Sequence, residues 1–344
     1  MMHGGDIYSN DRKVDFSVNV NPMGVPELFD GIFNDFDSYF ALYPEYESKE
    51  LRTKLAELYD LNTENVLCGN GASEIFMAIA HAIRPKTALI VAPSFSGYVW
   101  AFDAVDAKLT YYVTKAEDNF SVKDDIVDII ENNTDIDMLV FANPSNPVGN
   151  YIDNVLLDKL LAKCEEKEIV VLIDECFMEL SDYSQNTSTD KIKSFDNLLI
   201  VRAFTKTFAI PALRLGYILG SDLELMKKIR RQLPEWNVSL PAQRAGETVF
   251  SLKGYLDASR EMIIKERLYL KNELEAMGIK VFPSSANFIL IKTDIPLYSK
   301  LLEKGFLIRD CSDFHGLKKG YYRIAVKTHE ENEILINTIK EIIR

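Results

Sequence analysis

The sequence is poor in the residues that build a covalent or metal-held framework. Its four cysteines, Cys68, Cys164, Cys176 and Cys311, stand far apart with no Cys-x-x-Cys pair. Cys68, Cys164 and Cys176 fall within apolar patterns and read as small buried hydrophobes. The four histidines, His3, His81, His315 and His329, are scattered without metal-ligand spacing, so no metal site is expected. Positive charge is also scarce. Lys and Arg number 39 against 52 Asp and Glu, a formal net charge of −13. Nothing forms the basic stripe that faces phosphates, so a nucleic-acid partner is not expected. No apolar run approaches the roughly 20 residues of a membrane span. The first residues lack an apolar stretch behind a basic start. A cytoplasmic location, away from membranes, is the resulting expectation.

What is present is ordinary for a globular enzyme: 47% apolar and 26% charged residues in 344. That length suits two domains, or one large domain with a smaller one attached. Short β-branched runs at 65–68, 88–92, 138–142, 169–174, 198–203 and 215–220 alternate with helical patterns. In the helix expected over Val155–Glu166, Leu156, Leu157, Leu160, Leu161 and Cys164 share one face. Such alternation predicts an α/β fold with a mostly parallel sheet, whose ligands bind at the carboxyl ends of the strands. After Gly220 a long helical stretch over Tyr255–Ala276, strands within 280–292 and a terminal amphipathic helix over Glu330–Arg344 suggest a second, α+β unit. The expected division is an arm over 1–30 joining the small domain, a large domain over 31–235 and a small one over 236–344. The first thirty residues, rich in Gly, Asn and Pro, read as extended rather than as a core element.

The chemistry-bearing residues fall at the ends of the expected strands. Lys206 lies in Val201-Arg-Ala-Phe-Thr-Lys-Thr-Phe-Ala-Ile-Pro-Ala-Leu-Arg-Leu-Gly216, eight residues before Arg214. Asp174 closes one apolar run and Asn143-Pro-Ser-Asn-Pro-Val-Gly149 follows another. Phe95 follows a third, in Ala92-Pro-Ser-Phe-Ser-Gly-Tyr98, and Gly69-Asn-Gly-Ala-Ser-Glu74 precedes a helical pattern. A buried amine, an arginine, a strand-end carboxylate and an Asn-Pro loop are the parts needed to hold pyridoxal phosphate as an imine. That cofactor is an electron sink, and the protein supplies its binding, orientation and electrostatics. Each part alone has a plainer reading: a surface lysine, a helix-capping aspartate, a turn-forming Asn-Pro, an aromatic in the core.

Taken in order, the motifs resemble the fold-type I pyridoxal-phosphate enzymes over essentially the whole chain. Within them the chain is similar to the histidinol-phosphate aminotransferase and threonine-phosphate decarboxylase branch. The resemblance implies the aspartate aminotransferase-like fold, with a large mostly parallel sheet domain and a small α+β domain. It implies Lys206 as the Schiff-base lysine, which needs a lowered pKa to act as a nucleophile. It also implies Asp174 on the pyridine nitrogen, Asn146 on the phenolic oxygen and Phe95 stacked on the ring. Thr205, Arg214 and the amides of Ala72 and Ser73 would hold the phosphate. Ala203 stands where many members carry a serine, which implies one phosphate contact fewer. Phe177 stands where many aminotransferases carry a tyrosine, and the decarboxylases tolerate phenylalanine there.

On the substrate side, the resemblance implies that Arg323, in Tyr321-Tyr-Arg-Ile-Ala-Val326, fixes an α-carboxylate. Arg309, in Leu307-Ile-Arg-Asp-Cys-Ser-Asp-Phe314, would hold a distal phosphate. His3 and Asn19 would help bind that phosphate, with His3 reaching from a partner subunit. Tyr43 would touch the cofactor phosphate across the interface of a homodimer. Asn237 lies near the expected site wall with no role assigned. The bond at the substrate Cα that stands perpendicular to the cofactor ring is the one that breaks, so substrate orientation decides the reaction. The His3-Gly-Gly-Asp6 arm, Phe177 and the Arg309 segment favour decarboxylation of L-threonine O-3-phosphate, a step toward the lower ligand arm of cobalamin. Transamination of histidinol phosphate with 2-oxoglutarate is the alternative. A non-catalytic cofactor-binding regulator is a third, disfavoured by the intact Lys206, Asp174 and Arg323 set.

Overall fold

The computed structural model describes residues 4–6, 14–34 and 41–344. Its main sheet has seven strands: β2 (Val66–Gly69), β3 (Thr87–Ala92), β4 (Lys108–Val113), β5 (Met138–Ala142), β6 (Val170–Asp174), β7 (Leu198–Ala203) and β8 (Gly216–Gly220). Their order is β2-β8-β7-β6-β5-β3-β4. The five strands from β7 to β4 are parallel, whereas β8 runs antiparallel to both β7 and β2. Every residue of β3, β5 and β7 is buried. That is the consequence of helices covering both faces, and it explains why these strands appear in the sequence as unbroken apolar runs. On one face Leu51, Leu55, Leu157, Leu160 and Phe204 pack together. On the other, Ile75, Phe76, Ile79, Phe102 and Ile229 do so. The helix Asn154–Glu166 buries the five side chains expected of it, and Asp153 caps it by accepting from the amides of Val155 and Leu156.

Strand β4 is absent from the sequence reading. Lying at the sheet edge, it is covered only in part, and its Lys-Leu-Thr-Tyr-Tyr-Val composition carries no apolar run. The small domain holds the antiparallel sheet β12-β13-β10-β9, formed by β9 (Lys280–Val281), β10 (Phe288–Lys292), β12 (Arg309–Asp310) and β13 (Tyr321–Ala325). Helices Tyr255–Ala276, Leu297–Glu303 and His329–Ile343 pack against it. A reciprocal cap between Thr328 and Glu331 starts the last of these.

The N-terminal segment is more than an extended arm. Its strand β1 (Val14–Asp15) pairs in parallel with β11 (Phe306–Leu307). Phe16 and Phe29 are fully buried, the first in the small-domain core and the second in the large-domain core. Gly and Asn content concealed these two anchors. Between them the chain crosses the carboxyl ends of the strands, where the Asn21 amide donates to the Lys206 carbonyl at 2.9 Å. The Asn21 side chain donates to Thr207 O and Ser259 Oγ, each at 2.8 Å. The segment is thereby tied to the lysine loop and to the long helix at once.

Candidate active site

A cavity of about 440 Å³ opens at the carboxyl ends of the parallel strands. At one end is the start of the helix Ala72–Ile83. Its first residue follows Gly71, which lies at φ +80° and offers no side-chain cap. The first amides of a helix lack internal partners and sit at the positive end of its dipole, so Ala72 and Ser73 present an anion site. Glycine is required at 71 twice over, by the positive φ and by space: a Cβ there would stand 2.5 Å from Arg214 Nη2. Gly216 meets a similar limit, since its Cβ would lie 2.9 Å from the Ala72 amide nitrogen. Asn237 lies behind this turn, outside the cavity lining. It donates to Glu74 Oε2 at 2.6 Å, and the same carboxylate oxygen accepts from the Asn70 amide at 2.7 Å. Thr205 and Arg214 complete the lining here.

Asp174, the last residue of β6, is buried and lines the cavity. Its Oδ2 accepts from the Tyr98 hydroxyl at 2.6 Å and its Oδ1 from the Cys176 amide at 2.9 Å. Burial raises its pKa above the ordinary carboxylate value, opposed by these donors at Cys176 and Tyr98. A cationic ring nitrogen beside it would restore the ionised form. Phe95 lies edge-on to Tyr98, centroids 5.8 Å apart, and Gly97 leaves its ring room: a Cβ at 97 would fall 2.2 Å from Phe95 Cε1. Phe177 packs edge-on to Phe288 at 5.0 Å, an apolar wall with no hydroxyl to offer.

Lys206 sits in the one-turn helix Phe204–Thr207 directly after β7. Its side chain keeps partial access to the cavity, but that cavity is walled by protein on most sides. Burial, then the positive charge of Arg323, depress the amine from 10.5 to about 8. Among the described residues it joins no ion pair.

The two arginines owe their placement to strand register. Arg309 on β12 and Arg323 on β13 are direct antiparallel partners, and facing residues of such a pair project from the same face. Arg323 donates to Asn146 Oδ1 at 2.5 Å and to Ser17 O at 2.7 Å. With its amide oxygen turned toward the guanidinium, Asn19 accepts from Arg323 Nε at 3.1 Å and Nη1 at 3.3 Å. All these acceptors are neutral. Burial holds Arg323 down to about 10, and neighbouring Arg309 adds to the depression. Arg309 instead faces a carboxylate: its Nη2 donates to both oxygens of Asp313, at 2.8 and 3.1 Å.

Eleven of the thirteen residues read from the sequence line this cavity: Asn19, Ala72, Ser73, Phe95, Asn146, Asp174, Thr205, Lys206, Arg214, Arg309 and Arg323. Tyr43 does not. It is 80% exposed and its ring lies 5.3 Å from that of Trp236. His3 lies outside the described residues, although its neighbour Gly4 lines the cavity. The sequence reading missed Tyr98, Ser17 and Cys176. For Tyr98 a signal existed, since it stands three residues after Phe95 in the same motif. Ser17 supplies a carbonyl, which no side-chain pattern can reveal.

The residues present fit pyridoxal phosphate. An uncapped helix start with an arginine against it suits the phosphate, a doubly hydrogen-bonded buried carboxylate suits the ring nitrogen, and a depressed lysine suits the aldehyde. These features define a pyridoxal-phosphate enzyme of the aspartate aminotransferase-like fold. The family model for aminotransferase class I and II matches residues 11–339, and the chain belongs to that family. A relative from Caldanaerobacter subterraneus subsp. tengcongensis, provisionally named a threonine-phosphate decarboxylase, is 35% identical over 98% of this chain and 93% of its own length. The threonine-phosphate decarboxylase of Salmonella typhimurium is 29% identical over 99% of this chain and 96% of its own. Among solved structures, the histidinol-phosphate aminotransferase of Clostridium acetobutylicum superposes with a TM-score of 0.89 at 29% identity, covering 96% of this chain and 99% of that one. No helix among the described residues is long and apolar enough to cross a membrane.

Proposed function

We propose that this enzyme decarboxylates L-threonine O-3-phosphate to (R)-1-aminopropan-2-yl phosphate, a step toward the lower ligand arm of cobalamin. The observation that carries the reading is the opposed Arg309 and Arg323 pair, two buried guanidiniums on one sheet face at the cavity wall. One molecule of threonine phosphate brings an anion for each, its α-carboxylate to Arg323 and its phosphate to Arg309, aided by Asn19. Histidinol phosphate brings only one, so in the transaminase reading both arginines would be engaged together only by the dicarboxylate 2-oxoglutarate. Bound pyridoxal phosphate supplies the electron sink for the bond broken at Cα. The chain's own part would be to fix the substrate at both ends, Arg323 on the carboxylate and Arg309 on the phosphate, and so to set which bond at Cα is presented to that sink. Lys206 Nζ then returns a proton to Cα, a task suited to an amine titrating near 8. Asp174 would hold the ring nitrogen charged, with Tyr98 and the Cys176 amide holding Asp174. Phe177, which offers no hydroxyl, also accords with the decarboxylase branch.

Transamination of histidinol phosphate is the second reading, favoured by the likeness to the Clostridium acetobutylicum enzyme. Two incubations of the purified holoenzyme separate them. Threonine phosphate should release one carbon dioxide per molecule consumed and leave the cofactor in its aldehyde form. Conversion of the cofactor to its amine form by histidinol phosphate, with no carbon dioxide from threonine phosphate, overturns the proposal. We further propose a cytoplasmic homodimer, in which the exposed Tyr43 and Trp236 face the partner subunit. Sedimentation of a Tyr43→Asp variant as a monomer would support that assembly.

A further inference from the structure

We propose that Asp313 is a built-in competitor for the substrate's distal anion, setting a threshold that a phosphate passes and a carboxylate does not. The inference rests on the reading above, in which Arg309 receives that anion. The two cavity arginines are treated differently by the fold. Arg323 meets only neutral acceptors, so its charge awaits an incoming carboxylate. Arg309 is already engaged: Nη2 reaches both Asp313 oxygens, Nη1 donates to the Asp310 carbonyl at 2.7 Å, and the guanidinium lies 5.0 Å from the Phe314 ring centroid. Three hydrogen bonds therefore occupy a side chain with five N–H donors. Its own neighbours on the chain satisfy it when no substrate is present.

The loop bearing Asp313 is held from both sides. Ser312 N donates to Asp310 Oδ1 at 2.8 Å, Phe314 N to Cys311 O at 3.1 Å and Leu317 N to Phe314 O at 3.0 Å. Across the cleft, His315 stacks on Tyr111 of edge strand β4, centroids 3.8 Å apart and planes within 16°. Gly316, at φ +86°, presses on the same strand, where an added Cβ would lie 2.8 Å from Val113 Cγ1. A carboxylate so anchored stays close to Arg309 after displacement and returns when product leaves. Its high effective concentration defines the threshold. A distal carboxylate offers Arg309 the kind of partner it already has, so a ligand carrying one gains nothing by entering. A phosphate dianion offers more charge and a third acceptor oxygen, and prevails.

The test is the dissociation constant of the holoenzyme for three ligands, read from the cofactor absorbance. O-phospho-L-threonine carries a distal phosphate, L-aspartate a distal carboxylate and L-alanine neither. In the wild type, aspartate should bind no more tightly than alanine. In Asp313→Asn, which keeps the side-chain shape, phosphothreonine should bind about threefold to tenfold more tightly, the range of a partly screened charged hydrogen-bonded pair. Aspartate should gain an advantage over alanine, and alanine should be unchanged. Asp313→Ala should give the same pattern, with alanine again unchanged. If Asp313 merely holds Arg309 in place, phosphothreonine binding weakens in both variants and the proposal fails. It fails too if alanine gains as much as phosphothreonine, the mark of a general field. Inorganic phosphate, titrated as a competitor of O-phospho-L-threonine, whose own phosphate occupies Arg309, separates this inference from the reaction assigned above. Tighter phosphate binding in Asp313→Asn, with no carbon dioxide from the wild type, removes that reaction and leaves the threshold standing. Carbon dioxide release with weaker phosphate binding does the reverse.

Discussion

The depressed amine of Lys206 gives a quantitative expectation for cofactor capture. Only the neutral amine attacks an aldehyde, and the amine titrates at about 8 rather than 10.5. At pH 7 roughly a tenth of the protein then carries it neutral, against about three in ten thousand for an unperturbed lysine, a gain of about 300-fold. The rate at which apoprotein recombines with pyridoxal phosphate, followed by stopped-flow absorbance, should rise with pH and level off above about 8. Burial is the leading cause and Arg323 the next. Arg323→Gln removes the second and leaves the first, so the inflection should move upward while staying below that of a free lysine. Glutamine keeps a polar group near Asn146 and Asn19, which limits collapse of the wall. A wild-type rate still climbing tenfold per unit beyond pH 9 would refute the depressed amine. An unmoved inflection in Arg323→Gln would refute the electrostatic share.

Other outcomes follow from the same geometry. Tyr98→Phe removes the hydroxyl that donates to Asp174 at 2.6 Å. Hydrogen bonds to charged groups contribute about 1.5–3 kcal/mol, so kcat should fall about tenfold or more with KM little changed, and the thermal midpoint should fall as well. Gly71→Ala forces a side chain into positive φ and against Arg214. Equilibrium dialysis should show cofactor affinity reduced by about tenfold or more, consistent with strain of about 1–3 kcal/mol. Lys206→Met should abolish the lysine-bound absorbance yet stabilise the apoprotein. A lysine whose folded pKa lies below its unfolded one destabilises the fold in full at every pH below about 8, and the cost fades as pH rises from there and is gone above 10.5. The gain in denaturant midpoint should therefore be largest at neutral pH, up to about 3 kcal/mol, and smallest near pH 11.

Much of this protein is written locally in its chain. Runs such as 138–142 and 198–203 are apolar throughout because both faces of the strand are covered, and that pattern survives without any knowledge of neighbours. Lys206, Asp174 and the Gly69–Ala72 turn are legible for a related reason. Each sits where an apolar run breaks, and a break at a strand end is where an α/β sheet places its chemistry. Edge strand β4 carries no such run, because an edge is only partly covered.

What the chain order leaves open is whatever depends on which strand lies beside which. Nothing local sets Arg309 opposite Arg323, since that pairing comes from the register of β12 on β13. Nor does composition show that an Asn- and Gly-rich beginning would bury Phe16 and Phe29 in two separate cores, carrying Ser17 and Asn19 to a guanidinium more than 300 residues away. The lysine at 206 is chosen by sequence, but its acidity is not. It arises from burial by distant segments and from the field of Arg323, both of which exist only once the chain has closed around them.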